Sequence, residues 1–344
     1  MERSTRTIGE VGLELAVTDP RYEGTGKAMP TAVTPSTLLL RQLHEFFNLL
    51  PAVRDGSSDA IHKARVATRR MRAIVPLLAG RFTPADLEHL DSVLREVTRR
   101  LGRARDVDVQ LELLERIEPA APRTGEDVQE LRSEWRARRD KRVRRLIKSL
   151  ERLRVEQQLG DVASRLRSHA PAFLMARGHA WAAPVWENVL GAELRDLAGA
   201  VAAGVDRAGG VMFSNRLHEA RISIKKLRYA MEIATVTGRA NLERSVRSIR
   251  KAQQILGSIH DLDVLAKAVR KTRHGEERIL PVVEYQRRTL HDRYLRRRAD
   301  VLAACSDAAT AARREHRARV ARRTALLASV PIAMLAIPFA RRAG

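Results

Sequence analysis

Aromatic side chains are scarce: six Phe, four Tyr and three Trp make up 4% of 344 residues. A core without them is filled by aliphatic and small side chains, and the abundance of Ala, Leu and Val favours closely packed helices. There is one cysteine, Cys305. That excludes an internal disulfide framework and a thiolate metal site, and it suits a reducing cytoplasm. No strand–helix–strand alternation is found, which argues against a parallel nucleotide-binding sheet. A glycine-rich phosphate loop ending in lysine and a His-x-x-x-His pair are also missing. No apolar run follows the first basic residues, so no signal peptide is expected. Acidic residues are too few to balance the basic ones, 41 against 64, for a net charge of +23. Such an excess implies an acidic partner. Only nine of the 64 are lysine, and each arginine can fork two hydrogen bonds onto phosphate oxygens.

The basic residues are patterned. Ile61–Arg72 reads IHKARVATRRMR, and Leu217–Arg228 reads LHEARISIKKLR. On a helix, His62, Arg65, Arg69 and Arg72 share an arc of about 80°. Ala64, Ala67, Met71, Ile74, Val75 and Leu78 occupy the opposite side, a stripe wide enough to face a core. In the second run His218, Arg221, Lys225 and Arg228 take the basic arc, and Ala220, Leu227, Ala230, Met231 and Ala234 the apolar one. Arg70 and Lys226 flank the arc, each eight residues after its histidine. Cations three and four residues apart on a helix repel one another, and no acid relieves them in the first run. Two copies of so costly a face point to a dense polyanion rather than a solvated surface.

The chain divides around these runs. Residues 1–34 lack helical period and read as a flexible arm with one short strand at Val11–Val17. Helical patterning begins at Pro35 and continues to Ala312. Gly56–Asp59 supplies N-cap candidates for the first basic helix, and Thr83-Pro84 starts the next. That helix is expected to break or kink at Gly102, with a further helix over Asp106–Ile117. A long charged helix is expected over Gly125–Gln158, and an irregular centre around Gly160–Pro184 separates halves at about 35–170 and 180–312. In the second half, helices are expected at Trp186–Val205, Leu242–Leu256, Asp261–Val269 and Glu276–Ala312. Residues 313–344 form a basic and hydrophobic tail. Its segment Ala325–Ala340 holds 16 uncharged residues between arginine pairs. As a helix this spans about 24 Å, short of the roughly 30 Å bilayer core. The expectation is contact with a membrane surface or a hydrophobic granule surface through flanking arginines, ahead of packing on a partner and of a true membrane span.

A second echo accompanies the first. Leu101-Gly-Arg-Ala-Arg-Asp106-Val-Asp108-Val matches Leu256-Gly-Ser-Ile-His-Asp261-Leu-Asp263-Val. The histidines lie 156 positions apart and these leucines 155. Two echoes at nearly one spacing imply an internal duplication. The period is too long for a solenoid, and paired helical bundles with their basic faces towards a shared groove fit it better. Asp106 with Asp108, and Asp261 with Asp263, point apart on a helix. Capping or salt bridges to nearby arginines describe them better than metal ligation.

These motifs resemble the CHAD family, the α-helical domain named for its histidines, over about Pro35–Ala312. The resemblance implies an all-α fold of two pseudo-symmetric four-helix bundles with a shared basic channel that binds inorganic polyphosphate. Carried over by position, the implied contacts are His62, Arg65, Arg69, Arg70 and Arg72, and His218, Arg221, Lys225, Lys226 and Arg228. Arg103, Arg105 and Lys251, near the Leu-Gly echo, are added to them. The Glu-x-Glu-x-Lys strand of the triphosphate-processing domain found in front of many family members is not seen. The expectation is therefore a cytoplasmic, granule-associated polyphosphate binder without catalysis, metal or cofactor. Nucleic acid is the rival ligand, although the motif helices offer only Tyr229 for base stacking and no Asn or Gln for base edges. A polyphosphate-processing enzyme is the third reading.

Overall fold

The computed structural model describes residues 33–117, 125–168, 185–208, 214–271, 277 and 279–329. The strand expected at Val11–Val17 and the tail beyond Ser329 lie outside them. Among the described residues there are nine α-helices and no strand.

The first half holds α1 (Pro35–Arg54), α2 (Ser58–Ile74), α3 (Pro84–Ile117), α4 (Gly125–Arg152) and α5 (Val155–Ser168). A 3-10 turn, Val75–Leu78, follows α2. The second half holds α6 (Val185–Arg207), α7 (Ser214–Val236), α8 (Glu243–Val269) and α9 (Leu280–Ser329). Within the first half α1 packs on α2, α2 on α3 and α3 on α4, while α5 lies against α1. The second half repeats the order, with α6 on α7, α7 on α8 and α8 on α9. The halves meet where the Val75–Leu78 turn packs on α6, where α2 touches α7 and where α3 touches α8.

Local chemistry sets the boundaries. The Thr34 hydroxyl accepts from the Thr37 amide at 3.3 Å and Pro35 opens α1, a cap that satisfies orphan amides. Gly56, at φ +77°, turns the chain, and Ser57 accepts from the Ala60 amide at 3.3 Å to start α2. Thr83 and Asp86 cap α3 reciprocally, and Asp86 also pairs with Arg165 of α5 at 3.0 Å.

Four expectations are corrected. Gly102 does not end a helix, because α3 runs unbroken from Pro84 to Ile117. Likewise α8 passes through Gly257 without a stop. One glycine costs a helix only about 1 kcal/mol, and packing on both neighbours outweighs that. The long helix expected to Gln158 is two helices instead. The chain turns at Leu153–Arg154, with Arg154 in the left-handed region at φ 45°, and α5 then carries helix through Gly160. The closing helix also continues past Ala312 to Ser329.

Every residue of the two apolar stripes is buried. They belong to one continuous core that draws on all nine helices. A smaller cluster joins Leu113, Leu114 and Ile117 of α3 and Trp135 of α4 to Leu262 and Leu265 of α8 and Val283 of α9. It braces the α3/α8 contact between the halves. With both stripes turned inward, helical periodicity leaves the arcs of α2 and α7 to meet at the junction.

Candidate functional site

Arg65 and Arg69 on α2, and Arg221 and Lys225 on α7, are half-buried where those helices meet. Among the described residues none of the four is in an ion pair. Burial pulls the Arg69 guanidinium down to about 10, with Arg65, Arg228 and Arg221 pushing the same way. Burial also pulls the Lys225 ammonium down to about 7, helped by Arg69, Arg221, Arg65 and Arg228. Each half therefore repels the cations of the other across the seam. Half-buried cations that oppose one another in this way have an unmet need for negative charge.

The last arginine of each run serves a different end. Arg72 donates to Asp91 of α3 at 2.9 Å. Arg228 is buried and donates to Gln253 of α8 at 2.7 Å and to Glu232 at 2.8 Å. Both are anchored to protein acids. Tyr229 is buried too, with the Arg228 guanidinium 4.4 Å and that of Arg69 5.6 Å from its ring centroid. Its face is covered by cations and is not offered to a base.

Gly102 acquires a role that sequence reading missed. A methyl group built there would overlap Nη1 of Arg65, whose guanidinium lies over the α3 backbone. The absent side chain is what seats Arg65 at the seam. Gly102→Ala is expected to keep or raise the urea midpoint, because alanine suits a helix interior better. It should weaken polyanion binding by about threefold to tenfold, part of one charge-assisted contact. Gly257→Ala is the control, since nothing lies within 4 Å of its added methyl. Loss of affinity in both variants, or in neither, would refute this role.

The Leu-Gly echoes supply the floor. The second aspartate of each pairs with an arginine of the following helix: Asp108 with Arg139 of α4 at 2.6 Å, and Asp263 with Arg287 of α9 at 3.1 Å. These are the salt bridges expected from the sequence. The first aspartates, which sequence reading left out of the site, face the cations. Burial pushes the Asp261 carboxyl up to about 6, with Asp106 adding to this and Arg221 and Arg105 opposing it. Gln110 of α3 donates to the Asp261 carbonyl at 3.2 Å, tying α3 to α8. His260, also missed, lies with its ring centroid 5.1 Å from that of His218. Burial, Arg221 and His218 pull His260 down to about 4. Burial lowers His218, with Arg221 and Lys225 acting alike, and burial and Arg105 lower His62. The signal for Asp106 and Asp261 was their matched place in the echo, two residues before a paired aspartate and on the other helix face.

Arg105, Lys226, Arg70, Arg103 and Lys251 make up the remaining expected contacts. Arg105 donates to Glu112 at 2.7 Å and to the Ser58 hydroxyl at 3.2 Å. Lys226 is exposed and within electrostatic reach of Glu193 on α6. Arg70 is half-buried, and Arg103 and Lys251 are exposed. Among the described residues no group of three His, Cys, Asp or Glu side chains is placed to hold a metal ion.

The CHAD domain family model matches residues 37–270. The chain belongs to the CHAD family. That family is associated with polyphosphate binding. The crystal structure of the CHAD domain from the plant Ricinus communis superposes with a TM-score of 0.54 at 18% identity, covering 83% of this chain and 97% of that one. The fold is thus shared at low sequence identity. Two Mycobacterium tuberculosis proteins, the uncharacterized proteins MT2285 and Rv2226 of strains CDC 1551 and H37Rv, are each 30% identical over 217 residues. The match takes in 61% of this chain and spans 40% of the length of those relatives.

Proposed function

We propose that this CHAD protein binds inorganic polyphosphate in the seam between α2 and α7, without turning it over. One observation carries the reading: Arg65 and Arg69 from one half and Arg221 and Lys225 from the other repel one another with no ion pair among the described residues to relieve them, and Asp261 and Asp106 pull on Arg221 only from a distance. A flexible chain bearing about one charge per unit could neutralise all four together, whereas a single small anion could not. The covered face of Tyr229 favours polyphosphate over nucleic acid, because it removes the stacking platform of the motif helices. We read the matched packing order of the halves as the trace of an internal duplication. We place the protein at cytoplasmic polyphosphate granules, with Ala325–Ala340 as the contact to a hydrophobic granule or membrane surface. Among the described residues no helix is long and apolar enough to cross a membrane.

The test compares long-chain polyphosphate with a DNA duplex of equal charge near physiological salt. Wild type should prefer polyphosphate, and both Arg65→Ala/Arg69→Ala and Arg221→Ala/Lys225→Ala should lose that preference. Equal affinity for the two polymers, little changed by either variant, would show that diffuse charge does the binding. Phosphate release on adding Mg²⁺ or Mn²⁺ would show an enzyme. A chain lacking residues 325–344 should keep its affinity and cease to sediment with granules.

A further inference from the structure

A second group of cations lies outside the seam. On α4, Arg138, Arg142 and Arg145 fall within an arc of about 60°, and Lys141 and Lys148 widen it to about 120°. No acid occupies that arc from Arg138 to Arg152. Arg142 reaches across to α3, where its Nη1 donates to the Arg103 carbonyl at 2.6 Å. Arg103, Arg138 and Arg145 are all within electrostatic reach of the Arg142 guanidinium, along the furrow where α3 packs on α4. Arg103, Arg138 and Arg145 are exposed, and Arg142 is half-buried. Among the described residues none of the four is in an ion pair. Burial and then Arg138, Arg103 and Arg145 weaken the hold of Arg142 on its proton, with Asp106 alone opposing them.

The furrow adjoins the seam. Gly102, beneath Arg65, and Arg103, at the furrow, are about 100° apart on α3, and Asp106 lies on the arc between them. Asp106 is within electrostatic reach of Arg221 on one side and Arg142 on the other. The second half lacks this extension, because the position matching Arg103 in the echo is Ser258.

We infer that the α3/α4 furrow is a second anion-binding site, which takes the length of polyphosphate that runs out of the seam on the first half's side. The inference rests on the seam reading and adds a direction of exit and a preference for long chains. On this reading tripolyphosphate, three units long, is held by the seam alone. A long chain engages both, and the furrow acts as a second contact at high effective concentration.

The test measures tripolyphosphate and long-chain polyphosphate binding by wild type, Arg138→Gln/Arg145→Gln and Arg221→Ala/Lys225→Ala. The furrow variant changes only exposed side chains. It should bind tripolyphosphate as wild type does and lose about tenfold for the long chain. Its long-chain salt dependence should be shallower by about two counterions, if the nucleic-acid relation carries over. Arg138→Lys/Arg145→Lys should recover most of the loss. The seam variant should lose affinity for both ligands. Equal loss for both ligands in the furrow variant, or none for the long chain, overturns the furrow and leaves the seam standing. Failure of wild type to bind either ligand overturns both.

Discussion

Arg69→Ala/Lys225→Ala, one change from each side of the seam, is expected to lower affinity for long-chain polyphosphate by about a thousandfold at neutral pH. Each group can make a charge-assisted hydrogen bond worth roughly 1.5–3 kcal/mol, so losing two costs about 3–6 kcal/mol, or two to four decades. The single changes should not add up to this. Arg69 helps hold Lys225 down, so Arg69→Ala lets Lys225 carry more of its charge and partly compensates. A double-mutant cycle reads this coupling directly. Stability should move the opposite way: like charges in a half-buried seam oppose one another, so the unliganded double variant should keep or raise its urea midpoint. A structural role for these residues would lower stability and affinity together. Arg70→Ala/Lys226→Ala is the matched control, removing the same charge from the same helices beside the arc, with Lys226 in reach of Glu193. It should change affinity by no more than about threefold. Equal losses in the two pairs would mean that net charge, not the seam, recognises the ligand.

The two periodicities made much of this legible. Apolar stripes at helical spacing fixed which faces of α2 and α7 turn inward, and all their residues are buried. That placed the basic arcs opposite, and the family match agrees with the motifs that first suggested it. Tertiary partners were harder to read. Arg72 shares its arc with Arg65 and Arg69, yet its acid comes from Asp91 on the next helix. For Arg228 the signal was present, since Glu232 stands four residues on, and i,i+4 opposite charges pair on a helix. Glycines were read as breaks because intrinsic propensity is all a local reading can weigh. Gly102 instead marks a close approach by a side chain from another helix, which sequence spacing alone does not reveal. Conversely, the α4/α5 turn falls at Leu153–Arg154, where no glycine or proline announces it.

Polyphosphate binding is expected to strengthen as pH falls, and the sign follows from the groups that face the seam. In the free protein Lys225 sits at about 7, held down by burial and by Arg69, Arg221, Arg65 and Arg228. A bound polyanion favours its charged form and raises its pKa, so above pH 7 binding takes up a proton. Asp261 sits at about 6, raised by burial and Asp106 against the pull of Arg221 and Arg105. A polyanion favours its neutral form and raises its pKa as well, so uptake continues down to about pH 6. His62, His218 and His260 start below the usual imidazole value, and they are pushed the same way in more acidic solution. Each proton taken up contributes up to about tenfold in affinity per pH unit. From about pH 9 to pH 6 the gain should reach one to two decades at fixed ionic strength. Internal phosphates of a long chain stay ionised throughout, so the slope belongs to the protein. Lys225→Arg keeps its charge and should flatten the profile above pH 7 while binding more tightly than wild type at pH 9. Asp261→Asn should flatten it between pH 6 and 7 and raise affinity at pH 8 by removing a carboxylate from beside Arg221. A profile left unchanged by both substitutions would show that the polymer touches neither group, and the seam would then have to be redrawn away from the α7/α8 side.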